Sequence, residues 1–311
     1  FVPREYWSIE ADFKKKEALS KEDKKVFKAS LDRIDSEKIE LSAETDASKV
    51  LADLEGKDFT VLGVEKSIKN RNSLPPFITS SLQQDSFNKL RFSPVKTMFI
   101  AQQLYEGIEW GEEGPAGLIT YMRTDSTQVA QSAIAEVREY IKAGFGCDYL
   151  PETPRVYKSK KSAQEAHEAI RPTSVARAPK DIASYLTAEQ AKLYELIWKR
   201  FVASQMNPAQ VELTQAVIKS DKYLFKATGS TVVFNGFTAL YKTEDEEDSD
   251  EEKKNVLPSL KEGDHLDLLK VLPSQHFTKP QGRYSEASLI KALEEDGVGR
   301  PSTYAPTIST I

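Results

Sequence analysis

The sequence has almost none of the residues that build disulfides or soft metal sites. Its 311 residues include one cysteine, Cys147, and three histidines, His167, His265 and His276. A single cysteine cannot form an internal disulfide or complete a zinc site, so metal binding through sulfur and imidazole is not expected. No apolar run reaches the roughly 18–20 residues that span a bilayer, and nothing resembles a signal peptide. We therefore expect a cytoplasmic protein without a membrane segment.

Positive charge is also outnumbered by negative charge over the whole chain, but the two are unevenly distributed. The formal net charge is −5, which argues against nucleic acid as a partner, because nucleic acids select basic surfaces. Residues 244–252 read EDEEDSDEE, however, and without these eight acids the formal charge of the remainder is +3. A run of this kind is typical of a solvated loop. We expect it to lie away from any nucleic-acid path, since like charges repel.

Length and patterning predict several domains. The chain is 39% hydrophobic and 29% charged, a globular composition long enough for two or three domains. Alternating apolar and polar residues predict strands in 1–74 and 208–276, whereas helical patterns fill 75–207. The simplest fold is a multidomain α+β protein in which a helical domain, 75–207, is inserted into a β domain split in sequence. Residues 277–311 predict a helix-turn-helix-like piece of a further helical domain.

Local signals predict individual helices and strands. The string TVVFNGFTALY, residues 231–241, predicts a strand. Three pairs of residues mark expected helices through capping or termination: Pro94 and Gly107, Asp125 and Gln128, and Thr187 and Gln190. The chain begins at Phe1 without methionine and stops at Ile311 inside a predicted helix, so we expect a fragment.

The first candidate site is the string GLITYMRTDST, residues 117–127. Its apolar start predicts a strand, in which Tyr121, Arg123 and Asp125 point to one face. Tyrosine hydroxyls ionise only at about pH 10, but a nearby cation favours the ionised form and neutralises charge on a phosphate under attack. An ordinary surface pair of tyrosine and arginine beside a capping aspartate has the same spacing.

The second candidate site is the string SAQEAHEAIRPTS. Ser162 and Glu165 have capping-box spacing, and Pro172 ends the predicted helix. His167 and Arg171 are four residues apart, so a helical turn would place them on one face. Histidine and arginine together suit the binding of a phosphodiester, although an exposed pair on a solvated helix fits equally.

The third candidate site begins at Gln281 and reads QGRYSEASLIKALEEDGVGRPSTYA. Arg283 and Arg300 flank the first predicted helix, and Ser302 and Thr303 open the second. A helix N-terminus with a hydroxyl and an arginine is a phosphate site, and ordinary capping explains the same residues. A separate basic cluster suits a nucleic-acid backbone: Arg155, Lys158, Lys160 and Lys161.

Three strings, taken in their order along the chain, resemble the signatures of the type IA DNA topoisomerases: TYMRTDS, QEAHEAIRPT and RYSEASLIKALEEDGVGRPSTYA. The resemblance is to the central part of bacterial DNA topoisomerase I. It extends over essentially all of 1–311, including FVPREYW at the start and PPFITSSLQQD at 75–85. Met122 is typical of the topoisomerase I branch, whereas the topoisomerase III branch usually has proline at that place. The acidic tract is the part least like the family.

The resemblance implies an activity and a set of residues. Tyr121 would cleave one DNA strand through a 5′-phosphotyrosyl link, another strand would pass, and resealing would relax negative supercoils without ATP. Arg123 would hold the scissile phosphate, and His167 would position the reacting groups. The implied DNA contacts are Asp125, Arg171, Arg283, Arg300, Ser302 and Thr303.

The resemblance also implies partners. The family's Toprim domain, which holds Mg²⁺, and its C-terminal zinc-ribbon region have no counterpart in this sequence. We therefore expect no metal ligands in these residues, a monomer that acts on single-stranded or underwound DNA with the Toprim domain of the same chain, and no relaxation by these residues alone. The helical domain would be the gate, swinging on linkers near 75 and 207.

Two other functions have different signatures. A module that holds single-stranded DNA without catalysis needs only the basic residues, and it stays open as an alternative. Tyrosine recombinases also use tyrosine, arginine and histidine, but their His-x-x-Arg spacing differs from the three residues between His167 and Arg171. Their tyrosine also comes last in the sequence rather than first.

Overall fold

The structure is a computed structural model that describes residues 1–17, 25–109, 114–158, 167–241 and 257–311. These residues form two compact units. The β unit comprises Phe1–Arg71, Gln210–Phe234 and the described part of Thr243–Gly282. The helical unit comprises Asn72–Ala209, the described part of Asn235–Lys242 and Arg283–Ile311.

The regular elements are numbered in chain order. The described strands are β1 (Glu5–Lys15), β2 (Phe27–Ile34), β3 (Glu37–Lys38), β4 (Phe59–Arg71), β5 (Ile108–Glu109), β6 (Pro115–Ala116), β7 (Ala209–Ser220), β8 (Tyr223–Phe234) and β9 (His265–Phe277). The described helices are α1 (Glu44–Leu54), α2 (Thr79–Asp85), α3 (Pro94–Glu106), α4 (Gln131–Phe145), α5 (Pro179–Ile182), α6 (Ala188–Ser204), α7 (Glu286–Glu295) and α8 (Tyr304–Thr310). The expected mixture of helices and a large sheet is confirmed, while the three-part domain division stays a prediction.

The β unit is a seven-stranded sheet with the strand order β1-β9-β4-β7-β8-β2-β3. A further pairing joins β1 to β2, so six strands form a closed ring to which β3 is added. Strand β1 runs antiparallel to β9 from Glu5 opposite Phe277 to Lys15 opposite Leu266. The β7–β8 and β2–β8 pairs are antiparallel as well. Closure of the ring leaves few unpaired strand edges.

Alternation along the strands places large aromatic side chains inside the ring. Phe13, Phe27, Phe59 and Phe225 are each at most 2% exposed. The ring centroid of Phe13 lies 5.1 Å from that of Phe59 and 5.6 Å from that of Phe225. Tilted and edge-to-face contacts of this kind bury much apolar area per residue, which stabilises the unit.

Two helices of the helical unit agree with the predicted signals, α3 at both of its ends and α6 at its start. Helix α3 begins at Pro94, and Gly107 follows its last turn with a φ of 124°. Thr187 and Gln190 form the predicted capping box at the start of α6. Helix α6 also buries an apolar face, which consists of Leu193, Leu196, Ile197 and Phe201.

The expected pair of helices is present in residues 283–311, which belong to the same compact unit as Asn72–Ala209. The Ser285 hydroxyl caps α7 by accepting a hydrogen bond from the Ser288 N–H at 3.2 Å. Gly297 and Gly299 turn the chain between the helices with φ values of 71° and 87°. Helix α7 packs on α2, and α8 packs on α3.

The helix expected at Asp125 begins only at Gln131. Two hydroxyls explain the delay, because the Ser126 N–H donates to Thr124 Oγ1 at 3.0 Å and the Gln128 N–H donates to Ser126 Oγ at 3.2 Å. Such local bonds give the backbone an alternative to a helix. The capping box assigned to Asp125 and Gln128 was therefore wrong.

The strand expected from the apolar start of GLITYMRTDST, before Asp125, is also wrong. Ile119 makes one bridge, to Pro172, and the remainder of this segment is irregular. Its backbone groups bond to separate parts of the chain instead of to one neighbouring strand, a pattern that local alternation does not reveal.

The helical turn expected to join His167 and Arg171 is absent, since residues 167–171 are extended or irregular. The Ile170 N–H donates to the Phe77 carbonyl at 2.8 Å, and these two residues form a bridge. This segment takes its hydrogen bonds from distant residues, so a spacing of four does not place two side chains on one face.

The strand expected across residues 231–241 is correct only in its first half. Strand β8 ends at Phe234, and Gly236–Ala239 form a 3-10 turn. Gly236 has a φ of 47°, and a Cβ atom there would lie 2.4 Å from the Pro208 carbonyl oxygen. This close approach requires glycine and ends the strand.

Several expectations fall outside the described residues: the acidic tract 244–252, the capping box of Ser162 and Glu165, and the positions of Lys160 and Lys161. In the parts of the chain that the structure describes, no helix combines the length and the apolar character needed to cross a bilayer.

Candidate active site

Tyr121 lies on an irregular segment of the helical unit whose residues alternate between solvent and core. Tyr121 and Arg123 are exposed and Asp125 is half-buried, whereas Met122 and Thr124 are each 1% exposed. Tyr121, Arg123 and Asp125 therefore share one face, as expected, although the segment is not a strand. The buried residues fix the backbone while the others reach the surface.

Two threonines, which no sequence motif marked as functional, hold this segment. Thr79 is fully buried, and its hydroxyl hydrogen-bonds to the backbone just beyond Tyr121. On the other side, Thr120 Oγ1 donates to the Ala169 carbonyl at 2.6 Å, and the Thr120 N–H donates to the Arg171 carbonyl at 2.9 Å. The only sequence signal was that Thr79 lies in the family-like string PPFITSSLQQD, where it carried no expected role.

Two neighbouring rings position the Tyr121 side chain. The His167 ring lies edge-on to it, with ring centroids 5.9 Å apart and planes at 75°. Tyr105, on α3, packs against it at 5.4 Å and 64°. Tyr121 remains 41% exposed, so its ring is oriented and still accessible.

A cleft of about 390 Å³ opens beside Tyr121. Two arginines and a histidine converge on it together with one carboxylate, an arrangement that suits a phosphate group. The lining residues are Tyr121, Arg123, Asp125, His167, Arg300, Pro301 and Ser302. Apart from Pro301, each of these was a candidate site residue in the sequence, and the structure brings them together.

Arg300 reaches the cleft from the turn between α7 and α8. Its N–H donates to Thr303 Oγ1 at 2.8 Å, and its guanidinium donates to the Gly299 carbonyl at 3.0 Å. Gly299 has a φ of 87°, and a Cβ atom there would lie 3.1 Å from the Tyr304 ring, so the turn requires glycine. Burial raises the pKa of Tyr304, nearby carboxylates including Asp125 raise it further, and Arg300 opposes them. The Tyr304 hydroxyl is therefore neutral beside the cleft at physiological pH.

Three of the expected DNA contacts do not line this cleft. Arg171 is 9% exposed, pairs with Glu168 at 2.7 Å and donates to the Pro172 carbonyl at 2.9 Å. The Thr303 hydroxyl bonds to the backbone of its own turn, and Arg283 is exposed in the chain before α7. Their roles in DNA binding stay predictions. As placed, Arg171 stabilises its own loop.

A comparison with known families identifies the chain. A sequence model of the family described as DNA topoisomerase matches residues 1–311. The chain belongs to this family. The match includes both units and all the residues that line the cleft.

The topoisomerase fold is found in a solved relative as well. The structure of full-length topoisomerase I from Thermotoga maritima matches this chain with a TM-score of 0.79 and 38% sequence identity. The match covers 100% of this chain and 47% of that chain, so this topoisomerase chain spans about half the length of the T. maritima protein. The two matches show that it is a bacterial type IA topoisomerase chain.

The described part of this topoisomerase chain has no large cluster of possible metal ligands. No group of three or more histidine, cysteine or carboxylate side chains comes together among the described residues. Of the residues that the structure describes, Asp125 is the one carboxylate that lines the cleft. Mg²⁺ is commonly bound through one or two carboxylates together with water and substrate phosphates, and the assignment of its ligands to residues outside 1–311 stays a prediction.

Proposed function

We propose that the helical unit carries the DNA-cleaving tyrosine of a type IA topoisomerase, an ATP-independent isomerase. Tyr121 cleaves one strand, another strand passes through the gap, and resealing completes the relaxation of negative supercoils. The observation that supports this most directly is the cleft, where Tyr121, Arg123, His167 and Arg300 meet at one opening.

In the cleavage step, the Tyr121 hydroxyl oxygen attacks the scissile phosphorus. A bond forms between that oxygen and phosphorus, and the bond from phosphorus to the 3′ oxygen of the preceding nucleotide breaks. The tyrosine loses its proton and the leaving 3′ oxygen gains one, so the number of phosphate ester bonds is unchanged. Resealing is the reverse reaction, which is why no ATP is needed.

The neighbouring side chains have distinct roles in this step. Arg123 binds the scissile phosphate and stabilises the negative charge that develops in the transition state. His167 orients the Tyr121 ring through their edge-on contact. Arg300 and Ser302 hold the backbone of the strand that enters the cleft, as arginines and hydroxyls commonly do.

The proposed activity also requires residues outside 1–311. A Toprim domain supplies the magnesium ligands and the surface opposite Tyr121, and the helical unit acts as the gate on chain crossings near residues 75 and 207. Residues 1–311 alone therefore do not relax supercoiled DNA. Clear Mg²⁺-dependent relaxation by the purified chain would contradict this part of the proposal.

A labelling assay tests the nucleophile and the polarity of the link together. This chain is mixed with a separately produced Toprim portion, Mg²⁺ and single-stranded DNA labelled at one end. A 5′-phosphotyrosyl link retains a 3′-end label on the protein and releases a 5′-end label. We expect a labelled adduct with 3′-labelled DNA only, and its complete loss in Tyr121→Phe.

Tyr105→Phe is the matched control. Tyr105 is 40% exposed, close to the value for Tyr121, and packs against its ring without lining the cleft. The substitution keeps that ring contact, so the adduct should form as in the unsubstituted chain. An adduct that persists in Tyr121→Phe, or disappears in Tyr105→Phe, would refute the assignment.

The second candidate function is a single-stranded DNA-binding module without catalysis, which the two arginines of the cleft favour. It predicts that the logarithm of the affinity falls with the logarithm of salt concentration, with a slope of about −0.7 for each phosphate neutralised. Salt-dependent binding without any adduct in the mixture would favour this alternative.

A further inference from the structure

One buried side chain controls the backbone beneath the cleft. Thr79 is the first residue of α2 and is fully buried. Its hydroxyl accepts a hydrogen bond from the Thr124 N–H at 2.9 Å and donates toward the carbonyls of Met122 at 2.7 Å and Thr124 at 3.0 Å. The Thr79 N–H also donates to the Thr124 carbonyl at 2.9 Å. Thr79 therefore bonds to the chain on both sides of Arg123.

The Tyr121 segment depends on this partner because it has no regular ladder. Residues 121–126 form neither a helix nor a strand, and Met122 and Thr124 are buried. Buried backbone N–H and C=O groups must find hydrogen-bond partners. In a strand these partners would be spread along a neighbour, whereas here they are concentrated on Thr79.

We propose that Thr79 is a positioning residue for the reacting groups, acting through the backbone of Met122 and Thr124. The proposal rests on the proposed role of Tyr121. Because Arg123 lies between the two bonded residues, movement of the backbone there shifts its guanidinium relative to the Tyr121 hydroxyl. A misplacement of about 1 Å can slow a reaction by two orders of magnitude. The Thr79 hydroxyl should therefore affect the rate of cleavage rather than the affinity for DNA.

Three substitutions separate hydrogen bonding from packing. Thr79→Val keeps the shape and removes the hydroxyl, whereas Thr79→Ser keeps the hydroxyl and removes the methyl group. Thr97→Val is the matched control, because Thr97 is also fully buried in the helical unit but its hydroxyl has no hydrogen-bond partner within the described residues. Both valine variants replace a buried threonine, and only one of them removes hydrogen bonds.

Hydrogen exchange of the chain without DNA tests the contact independently of catalysis. In the unsubstituted chain the Thr124 amide should be protected, although it lies outside helices and strands. Thr79→Val should speed exchange across residues 122–126 by roughly tenfold, the effect of losing about one hydrogen bond. Thr79→Ser and Thr97→Val should exchange as the unsubstituted chain does. An unprotected Thr124 amide, or unchanged exchange in Thr79→Val, would overturn the proposal.

Adduct formation with the Toprim portion tests the consequence for chemistry. In Thr79→Val the rate at saturating DNA should fall about 10- to 100-fold, with the half-saturating DNA concentration changed less than about twofold. Thr79→Ser should restore the rate, and Thr97→Val should leave it unchanged. An unaltered rate in Thr79→Val, or a Thr79→Ser rate as low as that of Thr79→Val, contradicts the proposal.

Two outcomes need separate treatment: a Thr79→Val chain that does not fold, and an adduct that still forms in Tyr121→Phe. If Thr79→Val does not fold, Thr79→Ala removes the hydroxyl without placing a methyl group against the two carbonyls, and the same expectations apply to it. Whichever variant is used, protection of the Thr124 amide in the unsubstituted chain tests its hydrogen bond to the Thr79 hydroxyl. If Tyr121→Phe still forms the adduct, the proposed function fails, while the exchange results continue to report on Thr79.

Discussion

The β unit and the helical unit bury very different kinds of side chain. Of the fourteen polar or charged side chains buried in the described residues, thirteen lie in the helical unit and only Ser220 lies in the β unit. The β unit satisfies its backbone through strand pairing and fills its interior with apolar groups such as Phe13 and Phe225. In the helical unit some of these buried side chains, such as Thr79 and Arg200, are hydrogen-bond partners for an irregular backbone.

This difference shows how a reactive segment can be supported outside regular structure. The Tyr121 segment presents alternate residues to a cleft because Thr79 and Thr120 bond to its backbone from inside. Arg200 supports another irregular stretch, donating from Nε to the Pro75 carbonyl at 2.7 Å. Such contacts are specific, and the loss of one partner leaves another buried group unpaired.

The largest expected effect is a loss of stability in the apolar interior of the β unit. Phe225 is fully buried among aromatic rings, so Phe225→Ala should lower the free energy of unfolding of the β unit by about 4 kcal/mol. Chemical denaturation measures the loss, and hydrogen exchange should locate it in the strands. Val233→Ala, on the same strand at a position that is 57% exposed, should change the free energy by less than about 0.5 kcal/mol. Equal losses in the two variants would contradict the role of the phenylalanine cluster.

The next effect concerns the polar interior of the helical unit. Arg200 pairs with Asp85 at 3.2 Å and bonds to the Tyr241 hydroxyl, which itself donates to Asp85. Arg200→Met should cost about 3 kcal/mol, because it leaves the half-buried Asp85 carboxylate without its cation and the Pro75 carbonyl without its donor. Lys199→Met, one position earlier on a partly exposed face of α6, should cost under about 0.5 kcal/mol. If the two variants unfold at the same denaturant concentration, the buried network does not stabilise the unit.

The last effect, which is the smallest near neutral pH, is a dependence of stability on alkaline pH. Burial raises the pKa of Tyr194 and Tyr241 above the usual value for tyrosine. These tyrosines ionise at a lower pH in the unfolded chain than in the folded one. Their contribution to stability is therefore complete below about pH 10 and is lost as the pH rises above that value. The free energy of unfolding of the helical unit should then fall by about 1.4 kcal/mol per pH unit for each tyrosine. A chain with both Tyr194→Phe and Tyr241→Phe should lose most of this slope, and an unchanged slope would show that other groups cause it.

The sequence predicted those parts of the fold whose chemistry is local. Pro94 and Gly107 bound α3, and Thr187 and Gln190 cap α6, because each signal lies within a few residues of the helix end it specifies. The alternation within residues 1–74 correctly predicted strands, one of which begins at Phe59. These elements carry their own hydrogen-bond partners, so no knowledge of the tertiary structure was needed.

Two of the incorrect predictions share one physical cause. The segments around Tyr121 and His167 take their backbone hydrogen bonds from residues far away in the sequence, such as Thr79 and Phe77. Spacing within a motif cannot show such partners, so a strand and a helical turn were expected in their place. For the same reason Thr79 had no expected role, whereas Tyr121 and Arg123 were selected because their own chemistry is visible in the sequence.

The central claim is that the Tyr121 hydroxyl oxygen forms the covalent link to DNA. The most direct measurement is mass spectrometry of the adduct formed with the Toprim portion, after nuclease and trypsin digestion. Tyr121 and Tyr105 share the tryptic peptide 97–123, so fragmentation within that peptide is required. We predict the residual nucleotide on Tyr121 through its 5′ phosphate, and a nucleotide found on Tyr105 or on any other residue would contradict the account.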